Sequence, residues 1–157
     1  MNKDRPNILL ITADQMRWDA LGCAGNPVIK TPNLDALASR GMLFRNAFTP
    51  DPICIPARAS IMTGNTPQVC TGIKRNAGKI REGQPLMTET LKTVGYRTYA
   101  LGKLHFVPYS PPDQPRLVHG FEHVEWTESG RVTGLFDPLG QKEGVEDYFD
   151  YLSKVGY

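Results

Sequence analysis

The apolar residues of this chain fall into short blocks, some with strand-like spacing and some with helix-like spacing. Residues 7–12 form a continuous apolar run, which is typical of a parallel strand buried on both faces. Residues 42–48 predict a second strand. Residues 96–101, rich in aromatic and other strand-forming residues, predict a third, and strand-like sequence returns over residues 120–126.

Helical signals lie between these predicted strands. Thr31 is expected to be an N-cap, with Pro32 as the first helical residue and Gly41 at the end of the helix. The apolar side of this helix carries Leu34, Leu37 and Ala38. Further helices are predicted over residues 56–63, 85–94 and 145–155. The apolar side of the 85–94 helix is predicted to carry Leu86, Thr90, Leu91 and Val94. This order predicts an α/β fold, with a mostly parallel sheet and helices on both faces.

The composition narrows the class of protein. A chain of 157 residues fits one domain with a real core. Its formal net charge of +2, with both signs interspersed, argues against nucleic-acid or membrane partners. Cys23, Cys54 and Cys70 lack disulfide or zinc-site spacing. The absence of an apolar leader or span favours a cytoplasmic location over a periplasmic one. Four prolines within residues 108–115 predict a surface loop.

Cys54, Pro56 and Arg58 form the most informative pattern, C-x-P-x-R. The thiol lies just ahead of a proline-led helix, where the first N–H groups and the positive dipole end favour an anion. A buried, apolar cysteine is the simplest alternative, and a thiol enzyme that pairs Cys54 with His105 is another. A tyrosine-phosphatase-like thiol is excluded, because it needs arginine six residues after the cysteine, where Ser60 stands.

Polar residues directly follow two of the predicted strands. Asp14 and Gln15 come after the first strand, and Lys103 and His105 come after the third. Ligands of open α/β sheets bind outside the carboxyl ends of the strands, so we expect these residues to share a pocket with Cys54. An extended segment would place Lys103 and His105 on one face. Taken singly, Asp14 is more typical of a helix cap, Lys103 of a solvated cation and His105 of a structural histidine.

Together these motifs resemble those of the formylglycine-dependent sulfatases, of the bacterial arylsulfatase and choline-sulfatase type. The resemblance rests on C-x-P-x-R and its flanks, on G-K-x-H over residues 102–105, and on residues 11–15. It implies the alkaline-phosphatase-like fold of that superfamily. It also implies that a formylglycine-generating enzyme converts Cys54 into formylglycine, the nucleophile.

The resemblance further implies a divalent metal. Asp14, Gln15 and the modified residue 54 would be its ligands in this part of the site, with calcium as the expected ion and magnesium or manganese as alternatives. Gln15 stands where many relatives have a second aspartate, and its amide oxygen is still a hard ligand.

The remaining roles are also implied by the resemblance. Lys103 would bind sulfate oxygens and the formylglycine hydroxyl, His105 would transfer a proton, and Arg58 would add positive charge where oxygens gain charge. Asn76 would contact the substrate anion, although a turn residue is an equal interpretation. His119 precedes a strand and has a structural role in this comparison.

The implied function is hydrolysis of a small-molecule or carbohydrate sulfate ester, and the Lys103/His105 pair favours sulfate over phosphonate. Residues 1–157 would form only the N-terminal part of the catalytic domain. We therefore expect the chain alone to be inactive and to self-associate through an exposed sheet edge. The alternatives are a phosphonate or phosphate ester hydrolase of the same superfamily, and a non-catalytic fragment that binds an anion or a partner chain.

Overall fold

The computed structural model describes residues 5–72, 75–106, 118–127 and 147–156, except for the side chain of Phe149. The chain divides into two compact units, Met1–Phe48 and Thr49–Tyr157. The predicted loop over residues 108–115 and the predicted helix start at 145–146 lie outside the described residues.

The first unit contains a 3-10 turn, Gly22–Ala24, and helix α1, Pro32–Arg40. Gly41 ends the helix as predicted, with its N–H bonded to the Leu37 carbonyl. Thr31 holds the N-cap position, but its hydroxyl does not cap the helix. It accepts the Gly22 N–H at 2.9 Å and donates to Asp35 Oδ1 at 2.8 Å, so it ties the turn to the helix.

Asp35 completes this junction between the turn and α1. Its Oδ1 also accepts the Cys23 N–H at 2.7 Å. The hydrogen bond from Thr31, followed by those from Cys23, holds the pKa of the Asp35 carboxyl below its ordinary value. The ionised carboxylate is therefore the form that joins the two elements.

The predictions of strands over residues 7–12 and 42–48 are wrong, since neither segment has regular secondary structure. Leu9 is 82% exposed and Ile11 is 79% exposed. A doubly buried parallel strand takes its hydrogen bonds from neighbouring strands and its cover from helices. The described residues of the first unit contain no other strand to pair with. The predicted apolar side of α1 is likewise uncovered within this unit, with Leu37 at 60% exposure.

The second unit carries the predicted parallel pairing. Strand β1, Tyr99–Gly102, pairs in parallel with strand β2, His123–Trp126, in the register Tyr99 with His123 and Gly102 with Trp126. The described part of this unit contains the helices α2, Cys54–Thr63; α3, Pro67–Cys70; α4, Met87–Thr93; and α5, Asp147–Val155. No helix of the described part of the chain is long and apolar enough to cross a bilayer.

A small apolar core joins α2 to β1 and to the segment after it. Met62, Ala100, Leu104 and Phe106 form its buried centre. The partly buried residues around this centre are Ile80, Met87, Phe121, Val124 and Trp126. The core therefore fixes the chain just beyond β1 against the helix that begins at Cys54.

Helix α4 forms within the predicted range, and its predicted apolar side is only partly correct. Leu86 and Leu91 are half-buried, but Thr90 and Val94 are exposed. The buried residue of the helix is Thr88, at 1% exposure. The Thr88 hydroxyl donates to the His119 carbonyl at 2.6 Å. This hydrogen bond satisfies the buried hydroxyl, so a threonine can occupy the packed side of the helix.

Candidate active site

The candidate site is built around the first turn of α2. The residues at its N-terminal end leave backbone N–H groups without helical partners. Ala57 N donates to the Ile53 carbonyl at 3.0 Å and is the first helical bond. Ile53 N donates to Asp51 Oδ1 at 3.0 Å, and Pro56 has no N–H. The turn is therefore closed around Cys54 by side chains as well as by the helix itself.

Lys103 brings a positive charge to the Cys54 side chain. Its ammonium Nζ lies 3.9 Å from Cys54 Sγ, although the two residues are 49 positions apart. Both residues are half-buried. The core residue is instead Cys70, whose side chain is fully buried, so the interpretation of Cys54 as a core cysteine is wrong. An ammonium here can stabilise negative charge that develops on an atom attached to residue 54.

Arg58 holds the main chain that carries Lys103. Its Nη1 donates to the Lys103 carbonyl oxygen at 2.7 Å. Cys54 and Arg58 lie about one turn apart on the same helix. The C-x-P-x-R motif and the G-K-x-H motif are thus joined by a hydrogen bond from Arg58 and by the approach of Lys103 to Cys54. The predicted role of Arg58 is to add positive charge near the substrate oxygens. Nothing in the sequence indicates its contact with a backbone oxygen.

His105 follows Lys103 in a tight, non-extended segment. The φ of His105 is 41°, in the left-handed region. Gly102, three residues earlier, has φ 90°. The segment is therefore not extended, since β1 ends at Gly102, and strand alternation does not apply to Lys103 and His105. A non-glycine residue with positive φ is uncommon, and such conformations cluster at functional sites.

Asn76 lies next to the candidate nucleophile, but its observed contact is with the backbone. Its Oδ1 accepts the Ile55 N–H at 3.0 Å across 21 residues. The turn interpretation is also correct, since Asn76 lies in a turn. A direct contact with the substrate stays a prediction.

Asp14 and Gln15 belong to the first unit, whereas the other predicted site residues belong to the second. Both are exposed, and Gln15 has φ 57°. Their carboxylate and amide oxygens are hard donors, which fits a calcium or magnesium ion. No cluster of three or more His, Cys, Asp or Glu side chains suited to a metal occurs in the described ranges. The metal and its ligands stay predictions.

His119 is structural in this arrangement, as predicted. It lies in the turn before β2 with φ 44°, and its ring packs edge-on against Phe106 with centroids 5.0 Å apart. Burial lowers the pKa of the His119 imidazole, so the neutral form is favoured. His123 on β2 is exposed, and its Nε2 lies 3.1 Å from Glu125 Oε1.

Asp51 is a site residue that sequence reasoning missed. It is 6% exposed, and its hydrogen bond to the Ile53 N–H forms a local turn just before α2. The sequence does carry a signal for this turn, because an aspartate commonly accepts a hydrogen bond from the backbone N–H two residues later. Asp51-Pro52 therefore marks the entry into the helix.

Comparison with solved structures identifies the fold class of this chain. The chain superposes on the crystal structure of a phosphonate monoester hydrolase of Agrobacterium radiobacter with a TM-score of 0.70 and 31% identity. The match covers 80% of this chain and 26% of that one. A solved structure in complex with its substrate D-glucosamine-2-N,6-O-disulfate matches with a TM-score of 0.56 and 31% identity, over 68% of this chain and 20% of that one. The fold is the predicted α/β, alkaline-phosphatase-like fold.

The family follows from sequence comparison. The family model described as Sulfatase matches residues 6–133, so the chain belongs to the sulfatase family. It is 41% identical to an arylsulfatase of Clostridium perfringens over 153 residues, which are 94% of this chain and 30% of that protein. It is 40% identical to an N-acetylgalactosamine-6-sulfatase of Sus scrofa over 133 residues, 77% of this chain and 25% of that protein. The chain thus spans about a quarter of the length of the curated relatives it matches.

Proposed function

We propose that this chain is the N-terminal part of the catalytic domain of a sulfuric ester hydrolase. The observation that carries the proposal is the approach of Lys103 Nζ to Cys54 Sγ, at 3.9 Å, at the start of the C-x-P-x-R helix. Sulfate esters carry a negative charge that grows on their oxygens during cleavage. A half-buried ammonium beside the residue that would attack is suited to that charge.

In the proposed maturation, a separate formylglycine-generating enzyme removes two electrons from Cys54 with an external oxidant such as dioxygen. The thiol sulfur leaves as hydrogen sulfide, and Cβ becomes an aldehyde whose oxygen comes from water. When formed and hydrated, this group supplies the hydroxyl that attacks sulfur and a second hydroxyl through which sulfate is later released. Cys54 is half-buried in the folded chain.

Three side chains of this chain have proposed roles around residue 54. Lys103 balances charge on the sulfate oxygens and on the hydroxyl of the nucleophile. Arg58 keeps Lys103 in place through the Lys103 carbonyl, and its charge adds to the positive field. His105 accepts a proton from the second hydroxyl, as imidazole can near neutral pH.

Asp14 and Gln15, with residue 54, are the proposed metal ligands in this chain, and calcium is the proposed ion. A divalent ion bound there supplies a Lewis acid that lowers the pKa of a bound hydroxyl. The remaining ligands, a second lysine and an acid for the leaving group would come from the rest of the catalytic domain. The substrate class is a small-molecule or carbohydrate sulfate ester, and the proposed location is the cytoplasm.

The experiment uses the full-length protein, coexpressed with a formylglycine-generating enzyme and supplied with calcium. Peptide mass spectrometry should find the aldehyde at residue 54 and not at Cys23 or Cys70. An aryl sulfate should be hydrolysed, and Cys54→Ala should abolish turnover, whereas the matched variant Cys23→Ala should retain it. Conversion without turnover of sulfate esters would reject the proposed activity. Turnover that iodoacetamide blocks in unconverted protein would instead show a thiol enzyme.

A second candidate is phosphonate monoester hydrolysis, which the TM-score of 0.70 to such an enzyme favours. The two candidates are separated by comparing kcat/KM for an aryl sulfate with that for an aryl phosphonate monoester. We expect the sulfate to be preferred, because Lys103 and His105 are both present. A higher value for the phosphonate would assign the chain to the second activity.

A further inference from the structure

We propose that Asn76 is a positioning residue that fixes the backbone of the candidate nucleophile through Ile55. The inference rests on the proposed function for its catalytic consequence. The contact itself does not depend on it. The Asn76 side-chain oxygen accepts the Ile55 N–H at 3.0 Å, and Ile55 directly follows Cys54.

The first turn of α2 shows why this single bond matters. Three residues have their backbone nitrogens accounted for without Asn76: Ile53 N bonds Asp51, Pro56 has no N–H, and Ala57 N bonds the Ile53 carbonyl. Within this turn, the Ile55 N–H is therefore held by a side chain from a distant part of the chain. Asn76 lies 21 residues away, so its bond ties two separate segments together.

The burial of the turn adds to this argument. Ile55 is fully buried, and Pro56 is among the fully buried side chains. Cys54, one residue earlier, is half-buried. The orientation of residue 54 relative to Lys103 depends on where this turn begins. Asn76, itself exposed, bonds the backbone at that point.

The observed contact also restricts how Asn76 meets an anion. Its carbonyl oxygen is the acceptor for Ile55, so the amide Nδ2 is the group that would donate to a sulfate. A positioning role predicts a fall in kcat with little change in KM, whereas a substrate contact predicts a rise in KM. The two roles are thus separable by kinetics.

Hydrogen exchange gives a readout that needs no activity. The full-length protein with unconverted Cys54 is compared with Asn76→Ala, Asn76→Asp and the matched control Asn65→Ala, whose side chain bonds Gln84 instead. Pro56 has no amide hydrogen, so overlapping peptides that begin before and after Ile55 isolate the exchange of its amide. Asn76→Ala should speed exchange of the Ile55 amide by about fivefold, in line with the loss of a helix cap. Asn76→Asp keeps an acceptor oxygen and should retain protection.

A second readout is the rate of Cys54 alkylation. It should rise in Asn76→Ala and stay unchanged in Asn65→Ala, with Cys23 as the internal reference. If Asn76→Ala does not fold, by loss of its circular dichroism signal, the comparison of Asn76→Asp with wild type decides. Faster Ile55 exchange in the aspartate variant would overturn the proposal.

In the converted enzyme, Asn76→Ala should lower kcat by about fivefold or more with KM within about twofold. Unchanged Ile55 exchange in Asn76→Ala, or a raised KM with unchanged kcat, would reject the positioning role. If exchange and alkylation change as expected while the wild-type enzyme hydrolyses no sulfate ester, the anchoring by Asn76 stands and the proposed function fails.

Discussion

Replacing Arg58 separates its role as a charge from its role as a support for Lys103. In Arg58→Met the side chain keeps much of its length but loses the guanidinium that donates to the Lys103 carbonyl at 2.7 Å. In Arg58→Lys the charge remains, but a flexible ammonium replaces the planar, fixed donors. The structure predicts that both variants are impaired.

The magnitude follows from the geometry of this contact. A short hydrogen bond from a charged donor contributes about 1.5–3 kcal/mol when it is well shielded. Arg58 is half-buried, so we expect Arg58→Met to lower the free energy of unfolding by about 1.5 kcal/mol. Gly102, the residue before Lys103, is held separately, since its carbonyl accepts the Thr127 N–H at 3.2 Å. The main effect should therefore be local, at Lys103 and its ammonium.

Displacement of the Lys103 ammonium should lower activity more than it lowers stability. A misplacement of about 1 Å in a catalytic group lowers the rate by about 100-fold. We expect kcat/KM for an aryl sulfate to fall by about that factor in both variants of the converted full-length enzyme.

The assays are urea denaturation and steady-state kinetics, with Arg97→Met as the control. Arg97 is 73% exposed and paired with Glu122 at the surface, so its removal should change stability by less than about 0.5 kcal/mol. Wild-type activity and stability in Arg58→Lys, with activity lost only in Arg58→Met, would show that charge alone matters. That result would refute the positioning argument.

The contact between α4 and the turn before β2 gives three further predictions. Thr88→Val should lower the free energy of unfolding by about 1–2 kcal/mol in urea denaturation, because the buried hydroxyl that bonds the His119 carbonyl is lost; an unchanged midpoint would contradict this. Gly120→Ala should destabilise by more than Thr88→Val, since φ is 78° and a Cβ would lie 2.6 Å from Thr88 Oγ1; equal or higher thermal stability would show that the turn relaxes freely. The pKa of His119 is lowered by burial, so its contribution to stability is complete above its ordinary pKa of 6.5 and is lost as the pH falls toward the lower folded value. A pH series of denaturation midpoints should show this fall in wild type and not in His119→Phe.

The local signals in the sequence were sufficient to predict helices α1 and α2. Pro32 and Gly41 predicted α1 to within a residue of its ends, and the proline-led segment at Cys54 predicted α2. Such signals succeed because capping and proline geometry act within one turn of the chain. The strand near Tyr99 was predicted too, because its paired neighbour β2 is also within the chain.

The motif residues of the second unit were also predicted from sequence. Cys54, Arg58 and Lys103 are brought together as expected, and their catalytic roles stay predictions. The wrong strands over 7–12 and 42–48 show the limit of this approach. An apolar run states only that a segment can be buried, and a strand forms only where a partner strand completes its hydrogen bonds.

The hydrogen-bond partner of each polar side chain was decided by the tertiary structure. Thr31 joins a turn to a helix, Arg58 holds a backbone oxygen, and Asn76 holds the Ile55 amide. A side chain of any of these types can donate or accept in many directions, so its type alone does not select a partner. The partner is selected by which segments the fold brings within about 3 Å, the distance at which a hydrogen bond forms.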